Sequence, residues 1–208
     1  MLEDLLLLII SSPSGAGKTT LTRDLLARFP DFSFSVSHTT RKPRANEVDG
    51  RDYHFIDTAG FERLIDAGAF AEWAEVHGNL YGTALSELQR CKDQGKRGIV
   101  FDIDFQGARQ IKARRDDAIS VFVLPPSMEA LKERLRTRAA DDEATIERRY
   151  RNAEREIAYY GLFDYVIVND DLDEAKERLR GIVLAERSRR ARTAQAAEAL
   201  LRKISGRR

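Results

Sequence analysis

The sequence predicts an α/β fold in which helices cover both faces of a parallel central sheet. Short, mainly apolar runs have the length of buried strands, and they occur at residues 5–10, where the run is unbroken, and at 99–103, 119–124 and 165–168. Helical patterns separate these runs, and strands that alternate with helices are typical of parallel sheets. Two segments, 36–82 and 127–158, do not fit the alternation. We expect them to be lobes inserted at the edge of the sheet where ligands bind.

The first half of the chain gives these elements in order. A helix follows the first strand and is expected to end before Pro30, because proline cannot continue a helix. Alternating apolar and polar residues predict short strands at 32–37, 53–55 and 70–77, and Thr58 is placed to cap a helix that runs to about residue 66. The glycines of the segment GNLYG predict a turn at 78–82.

The second half alternates more regularly. A helix over 84–94 is closed by Gly95, and a helix over 105–115 leads to a strand that ends at Pro125 and Pro126. Arginine-rich helices are predicted over 127–138 and 143–160, and a terminal helix follows the last strand.

Composition narrows the class of protein. The 208 residues suit one domain with inserted lobes, and 42% hydrophobic with 33% charged residues is ordinary for a soluble globular protein. The single cysteine, Cys91, excludes an internal disulfide and a cysteine-rich metal site. Glu3 and Asp4 stand where a secretory signal carries basic residues, and no apolar run approaches the roughly 18 residues that span a bilayer. We therefore expect a cytoplasmic protein without a membrane partner.

Charge is unevenly distributed along the chain. Residues 188–208 contain seven basic residues and one acidic residue, whereas the rest has five more acidic than basic residues. This pattern predicts a basic helical tail that packs on the body or on a second subunit, rather than a nucleic-acid site. The sequence leaves open whether the protein is a monomer or a homo-oligomer.

The segment LLLLIISSPSGAGKTT predicts a strand, a phosphate-binding loop and the start of a helix. Gly15 and Gly17 allow several backbone N–H groups to converge on one anion. Lys18 is placed to reach the β- and γ-phosphates of a nucleotide, and Thr19 can offer its hydroxyl to Mg²⁺. The pattern GxxxxGK[ST] is met except at its first glycine. The predicted nucleoside triphosphate site comprises Ser12, Pro13, Ser14, Gly15, Ala16, Gly17, Lys18 and Thr19.

Several further motifs follow in a fixed order: VSHTTRKPRANEVDGRDY, FAEWAEVHGNLYGT, FDIDFQGA, LPPS, RLRTR and VIVNDD. Together with SPSGAGKT, they closely resemble the guanylate kinases over residues 5–187. The resemblance implies a P-loop NTPase type of fold and transfer of the γ-phosphoryl group of ATP to GMP, and also to dGMP, with Mg²⁺. It also implies a domain over 5–187 with a core (1–36, 83–126 and 159–187), a GMP-binding lobe (37–82) and a lid (127–158), followed by the tail (188–208).

The resemblance implies a GMP site in the first lobe. The phosphate of GMP would be held by Arg41, Arg44, Tyr53 and Tyr81. Guanine would be bound by Ser37, Glu72 and Thr83. The implied GMP-binding residues also include Glu47, Asp102 and Asp104. The chemistry of Glu72 supports this, because guanine offers two adjacent donors and a carboxylate only accepts. Adenine would place the lone pair of its N1 against the same carboxylate. Such a mismatch can favour the guanine nucleotide over the adenine nucleotide by about 10⁴-fold.

The remaining implied roles concern the reacting phosphates. The implied catalytic residues are Lys18, Arg41, Arg138 and Arg149, and Arg134 and Asn169 would also bind ATP. Thr19 and Asp102 would hold Mg²⁺. Asp102 and Asp104 lie two apart at the end of a strand and would point the same way, although Asp104 could instead cap the following helix. Two residues depart from the family pattern, Leu80 at a common tyrosine and Ala139 at a usual glycine.

Two other functions remain compatible with parts of this pattern. One is a P-loop kinase that acts on another monophosphate. The other is a non-catalytic guanylate-kinase-like module that binds protein partners, although the intact Gly17-Lys18-Thr19 and the lid arginines argue against it.

Overall fold

A computed structural model describes residues 5–76, 78–138 and 142–205, with the side chain of Arg138 outside this description. Nine strands are described: β1 (Leu6–Ser11), β2 (Phe32–Phe34), β3 (His38–Thr39), β4 (His54–Phe55), β5 (Phe70–Val76), β6 (Asn79–Ala84), β7 (Gly98–Asp102), β8 (Ile119–Leu124) and β9 (Tyr165–Val168). Eight α-helices accompany them: α1 (Lys18–Arg28), α2 (Thr58–Asp66), α3 (Leu85–Asp93), α4 (Phe105–Arg114), α5 (Met128–Arg138), α6 (Glu143–Ile157), α7 (Leu172–Arg187) and α8 (Arg190–Ser205).

The central sheet has five parallel strands in the order β2-β7-β1-β8-β9. Successive residues of β1 enter opposite cores, which explains why the whole run is apolar. Leu8 packs with residues of α1 and α7, and Ile9 packs with residues of α3 and α4. The predicted α/β class is confirmed. The sequence assigned four strands to this sheet, and the structure adds β2 at its edge.

A second, four-stranded sheet has the order β4-β3-β6-β5. Of the turn predicted at 78–82, only Gly78 lies in a turn, and the rest of the prediction is wrong because β6 begins at Asn79 and pairs antiparallel with β5. Phe61 on α2 stacks on Phe70 with ring centroids 4.6 Å apart, which anchors this sheet to its helix. The β5–β6 register places Glu72 directly opposite Thr83.

Helices α5 and α6 form a pair with its own small core, which contains Leu131, Leu135 and Ile146. Helix α5 also covers the phosphate loop, since a Cβ atom on Gly15 would lie 3.1 Å from Leu131 Cδ1. Helix α6 ends at Ile157, earlier than predicted, and a 3₁₀ turn over Tyr160–Leu162 leads into β9.

The basic tail is helical, as predicted, and it contacts the body in its first turn. There the Arg192 guanidinium donates to the Asp117 carbonyl oxygen at 3.1 Å. Farther along, Leu200, Leu201 and Ile204 are 62, 61 and 65% exposed. Within the described ranges, the helices are too short or too polar to cross a membrane.

Candidate active site

The loop between β1 and α1 has the backbone geometry that its glycines predicted. Gly15 and Gly17 have φ angles of 93° and 102°, a region that favours glycine. Gly17 caps α1, so Lys18 is the first residue of that helix. The free N–H groups of the first turn and the helix dipole therefore point toward any anion in the loop.

A cavity of about 580 Å³ opens above this loop. The loop lines it with Ser12, Pro13, Ser14, Gly15, Gly17, Lys18 and Thr19. Five further predicted site residues line it from other elements, namely Arg44, Tyr53, Asp102, Asp104 and Arg149. Ala16, also predicted here, is instead fully buried in the core below the loop.

A second cavity of about 160 Å³ adjoins the first. Of the predicted GMP-binding residues, it is lined by Ser37, Tyr53, Glu72, Tyr81, Asp102 and Asp104. The two cavities share Lys18, Tyr53, Val76, Asp102 and Asp104. A triphosphate in the larger cavity and a monophosphate in the smaller one would therefore meet beside Lys18.

Lys18 forms an ion pair with Asp102 at the carboxyl end of β7. Burial opposes the charge of Lys18, but the neighbouring Asp102 carboxylate outweighs it and raises the pKa of the ammonium group. Lys18 therefore stays positively charged at neutral pH, at the boundary between the two cavities.

Glu72 is a buried carboxylate on β5, only 3% exposed. Its Oε1 accepts a hydrogen bond from the Thr83 backbone N–H at 2.9 Å, and the Thr83 hydroxyl lies 3.1 Å from that of Ser37. Burial raises the pKa of Glu72 to about 7, although the hydrogen bonds from Thr83 lower it. The three residues predicted to bind guanine thus form one cluster, in which Ser37 and Glu72 line the smaller cavity and Thr83 is buried beside them.

Comparisons with known proteins point to one family. A family model described as guanylate kinase matches residues 5–186. The chain belongs to the guanylate kinase family. Guanylate kinases of Nitratidesulfovibrio vulgaris and Mesorhizobium japonicum are 55% and 53% identical to it, covering 87% and 90% of this chain and 87% and 86% of theirs. The crystal structure of guanylate kinase from Anaplasma phagocytophilum has a TM-score of 0.74 and 34% identity, covering 91% of this chain and 90% of that one. The predicted family, fold class and enzyme class are confirmed.

In this member of the family, Glu47 contacts two of the predicted GMP-binding arginines, Arg41 and Arg44. Its Oε1 accepts from Arg41 Nη2 and its Oε2 from the Arg44 backbone N–H, both at 2.8 Å. Burial opposes this charge, but the two donors outweigh it and lower the pKa of Glu47. Arg41 is also held by the Tyr53 ring, whose centroid lies 5.3 Å from the guanidinium carbon. An influence of Glu47 on GMP would therefore pass through these arginines.

Asp104 caps a helix, which is one of the two roles that the sequence left open. Its Oδ1 caps α4 by accepting from the backbone N–H groups of Gln106 and Gly107, both at 3.0 Å. The same residue lines both cavities. Capping therefore fixes the Asp104 carboxylate at the edge of the site.

Asn169 follows β9 and lies beneath the phosphate loop, where it is 4% exposed. Its side-chain amide donates to the Ala16 carbonyl oxygen at 2.7 Å, and Arg134 donates to the Asn169 carbonyl oxygen at 3.0 Å. A Cβ atom on Gly17 would overlap this amide. The predicted ATP residues Arg134 and Asn169 thus lie where they support the loop from below.

Replacing Asn169 by alanine is expected to raise the KM for ATP about tenfold, because the buried Ala16 carbonyl loses its donor. The KM for GMP should not change. Steady-state assays with ATP and with GTP as donor separate this support from adenine recognition. Equal increases for both donors indicate an effect through the loop, whereas an increase for ATP alone would contradict it.

Helix α6 contacts the phosphate loop at Ser14. Arg149 on α6 donates from Nη2 to the Ser14 hydroxyl oxygen at 2.7 Å. Glu156, two helical turns farther along the same helix, also lines the larger cavity, as Ser14 does. Burial raises the pKa of Glu156 to about 7, although the charge of Lys18 lowers it. Sequence reasoning missed Glu156, and its spacing of seven residues from Arg149 was the available signal.

Some positions within the motifs lie outside the residues that the structure describes. The side chain of Arg138, predicted to be catalytic, and Ala139, a departure from the family pattern, lie outside the described residues, as does His77. The other departure, Leu80, packs beside the small core of α2 and β5. Tyr81, the next residue, is the one that lines the smaller cavity.

Proposed function

We propose that this protein transfers the γ-phosphoryl group of ATP to GMP, giving ADP and GDP. The observation that carries the proposal is the pair of adjoining cavities around Lys18. The phosphate-binding loop lines the larger cavity. The smaller cavity is lined by the carboxylate of Glu72, which only accepts hydrogen bonds and can therefore pair with the two adjacent donors of guanine. In such transfers, positioning and charge stabilisation supply most of the catalysis.

The roles follow from the positions of the residues. Lys18 and the loop amides hold the β- and γ-phosphates, and Arg149 reaches the same end of the larger cavity from the lid. Arg44 and Tyr53 line that cavity from the GMP lobe, and Arg41 packs on Tyr53. These residues would lie on both sides of the path from the γ-phosphate of ATP to the phosphate of GMP. Arg41 and Arg149 are the two proposed catalytic residues among them.

The two residues predicted to hold Mg²⁺ suit that ion. Thr19 and Asp102 both line the larger cavity and offer oxygen atoms, the donors that Mg²⁺ prefers. Mg²⁺ uses few protein ligands and completes its shell with water and phosphate oxygens, so a hydroxyl and one carboxylate suffice. When bound, the ion would neutralise charge on the phosphates.

The proposal includes dGMP as an acceptor. GMP and dGMP differ only in the sugar, and every role assigned to a residue concerns the base or a phosphate. The cytoplasmic location and the lack of a nucleic-acid or membrane partner stay predictions from composition and charge.

A coupled assay of ADP formation across GMP, dGMP, AMP, CMP and UMP tests the function. We expect turnover with GMP and dGMP, with kcat/KM at least about 10³-fold above that for AMP. Strong turnover of AMP, CMP or UMP without GMP would indicate a kinase for another monophosphate. Absence of any ATP consumption with GMP or the other monophosphates would indicate a non-catalytic module.

A further inference from the structure

Gly107 lies in the first turn of α4, within the motif FDIDFQGA. Its backbone is helical and its N–H donates to the Asp104 carboxylate. Alanine would adopt this conformation without strain and would favour the helix more than glycine does. The reason for a glycine must therefore be the space around it.

The carboxylate of Glu72 occupies that space. A Cβ atom built on Gly107 would lie 2.5 Å from Glu72 Oε2, 3.1 Å from Glu72 Cδ and 3.2 Å from Ile103 Cδ1. The first distance is far shorter than any contact between such atoms, so the carboxylate and a methyl group cannot share this place.

Two neighbours therefore fix the orientation of the Glu72 carboxylate. The Thr83 backbone N–H holds Oε1 at 2.9 Å, and the bare first turn of α4 receives Oε2. The open side of the carboxylate is the smaller cavity, which Glu72 itself lines. A side chain at residue 107 would push the carboxylate into this cavity.

We propose that Gly107 is a positioning residue that determines the specificity for guanine by making room for the Glu72 carboxylate. The inference rests on the proposed function, because it takes the smaller cavity to be the place of the base. The clash falls on the end of a flexible side chain, so an alanine at residue 107 moves the carboxylate and leaves the helix intact. ATP lies in the other cavity and is not affected.

Gly107→Ala is expected to raise the KM for GMP by about 10- to 100-fold, since a displacement of about 1 Å can cost that much. The kcat should fall by a smaller factor, the KM for ATP should not change, and the preference for GMP over AMP should narrow. Gly181→Ala in α7 is the matched control, because a Cβ atom there would meet no described atom within 4 Å. It should leave both KM values unchanged.

A double variant tests whether Gly107 acts through Glu72. In the Glu72→Ala background the clash is absent, and Gly107→Ala should change kcat/KM for GMP by less than twofold. An equal loss in both backgrounds, or an unchanged KM for GMP in the single variant, would overturn the inference. If Gly107→Ala does not fold, recovery of folding in the double variant supports it, and continued unfolding overturns it. A wild-type protein inactive with GMP would refute the proposed function itself.

Discussion

Replacing Lys18 by methionine is expected to lower kcat/KM for GMP phosphorylation by about 10³-fold or more while the protein stays folded. Lys18 is the first residue of α1, lines both cavities and remains charged because Asp102 raises its pKa. A cation at the transferred phosphoryl group contributes about 10³- to 10⁵-fold in related phosphoryl transfers. Methionine keeps the length and much of the packing but removes the charge. Steady-state kinetics with the coupled assay measure the loss.

Lys176→Met provides a matched control for Lys18→Met. The side chains of Lys18 and Lys176 are 21% and 20% exposed, and each forms an ion pair with an aspartate, Asp102 and Asp173 respectively. Lys176 lies on α7, away from the residues that line the two cavities. Its substitution should leave kcat/KM within twofold of the wild type. A loss below tenfold for Lys18→Met would contradict the role proposed for its charge.

The fold was predictable where local pattern and burial agree. The all-apolar run of β1 indicated a strand buried on both faces, and its residues do enter two separate cores. The segment GNLYG led to a turn that was too long, because only Gly78 lies in the turn, whereas Asn79 to Gly82 belong to β6, where pairing with β5 decides the conformation.

The candidate site was predictable where the positions of its residues follow from their spacing in the sequence. The phosphate loop is contiguous in sequence, so its residues were found together. The support from Asn169 to Ala16 spans the chain and depends on the direction of one amide. Gly107 is similar, because in the sequence it is only a poor helix former. The reason for a glycine at this position is visible only in the structure, where the carboxylate of Glu72, distant in sequence, occupies the space that a side chain at residue 107 would need.

Replacing Glu72 by glutamine is expected to lower kcat/KM for GMP by about 10³-fold and to leave the low activity with AMP nearly unchanged. A neutral amide presents a donor where guanine needs an acceptor, so one buried pair is left mismatched. The pH profile gives a second test. Below about pH 7 the wild-type carboxyl group takes up a proton and can no longer accept from both guanine donors, so kcat/KM should fall. The phosphate of GMP titrates near pH 6 in both proteins, so the difference between their profiles isolates Glu72.

The same substitution should stabilise the protein, and the sign of its pH dependence is fixed. The folded-state pKa of Glu72 is about 7, above its ordinary value of 4.5, so the unfolded chain ionises first as pH rises. Stability is therefore lost between about pH 4.5 and pH 7, by up to about 3 kcal/mol. Glutamine avoids this loss, so Glu72→Gln should raise the free energy of unfolding at pH 8 but not at pH 4, as measured by chemical denaturation.

Glu87→Gln is the matched control, and its effect should have the opposite sign. Glu87 is also buried, at 5% exposure, but it accepts from Arg90 and from the Val36 backbone N–H. Burial opposes its charge, yet these donors outweigh the burial and lower the pKa of Glu87. Its ionisation therefore stabilises the fold above about pH 4.5, and glutamine should destabilise the protein at pH 8. Destabilisation by both variants at pH 8 would contradict the raised pKa of Glu72. A gain for Glu72→Gln alone would show that the protein retains a buried charge for binding at the expense of stability.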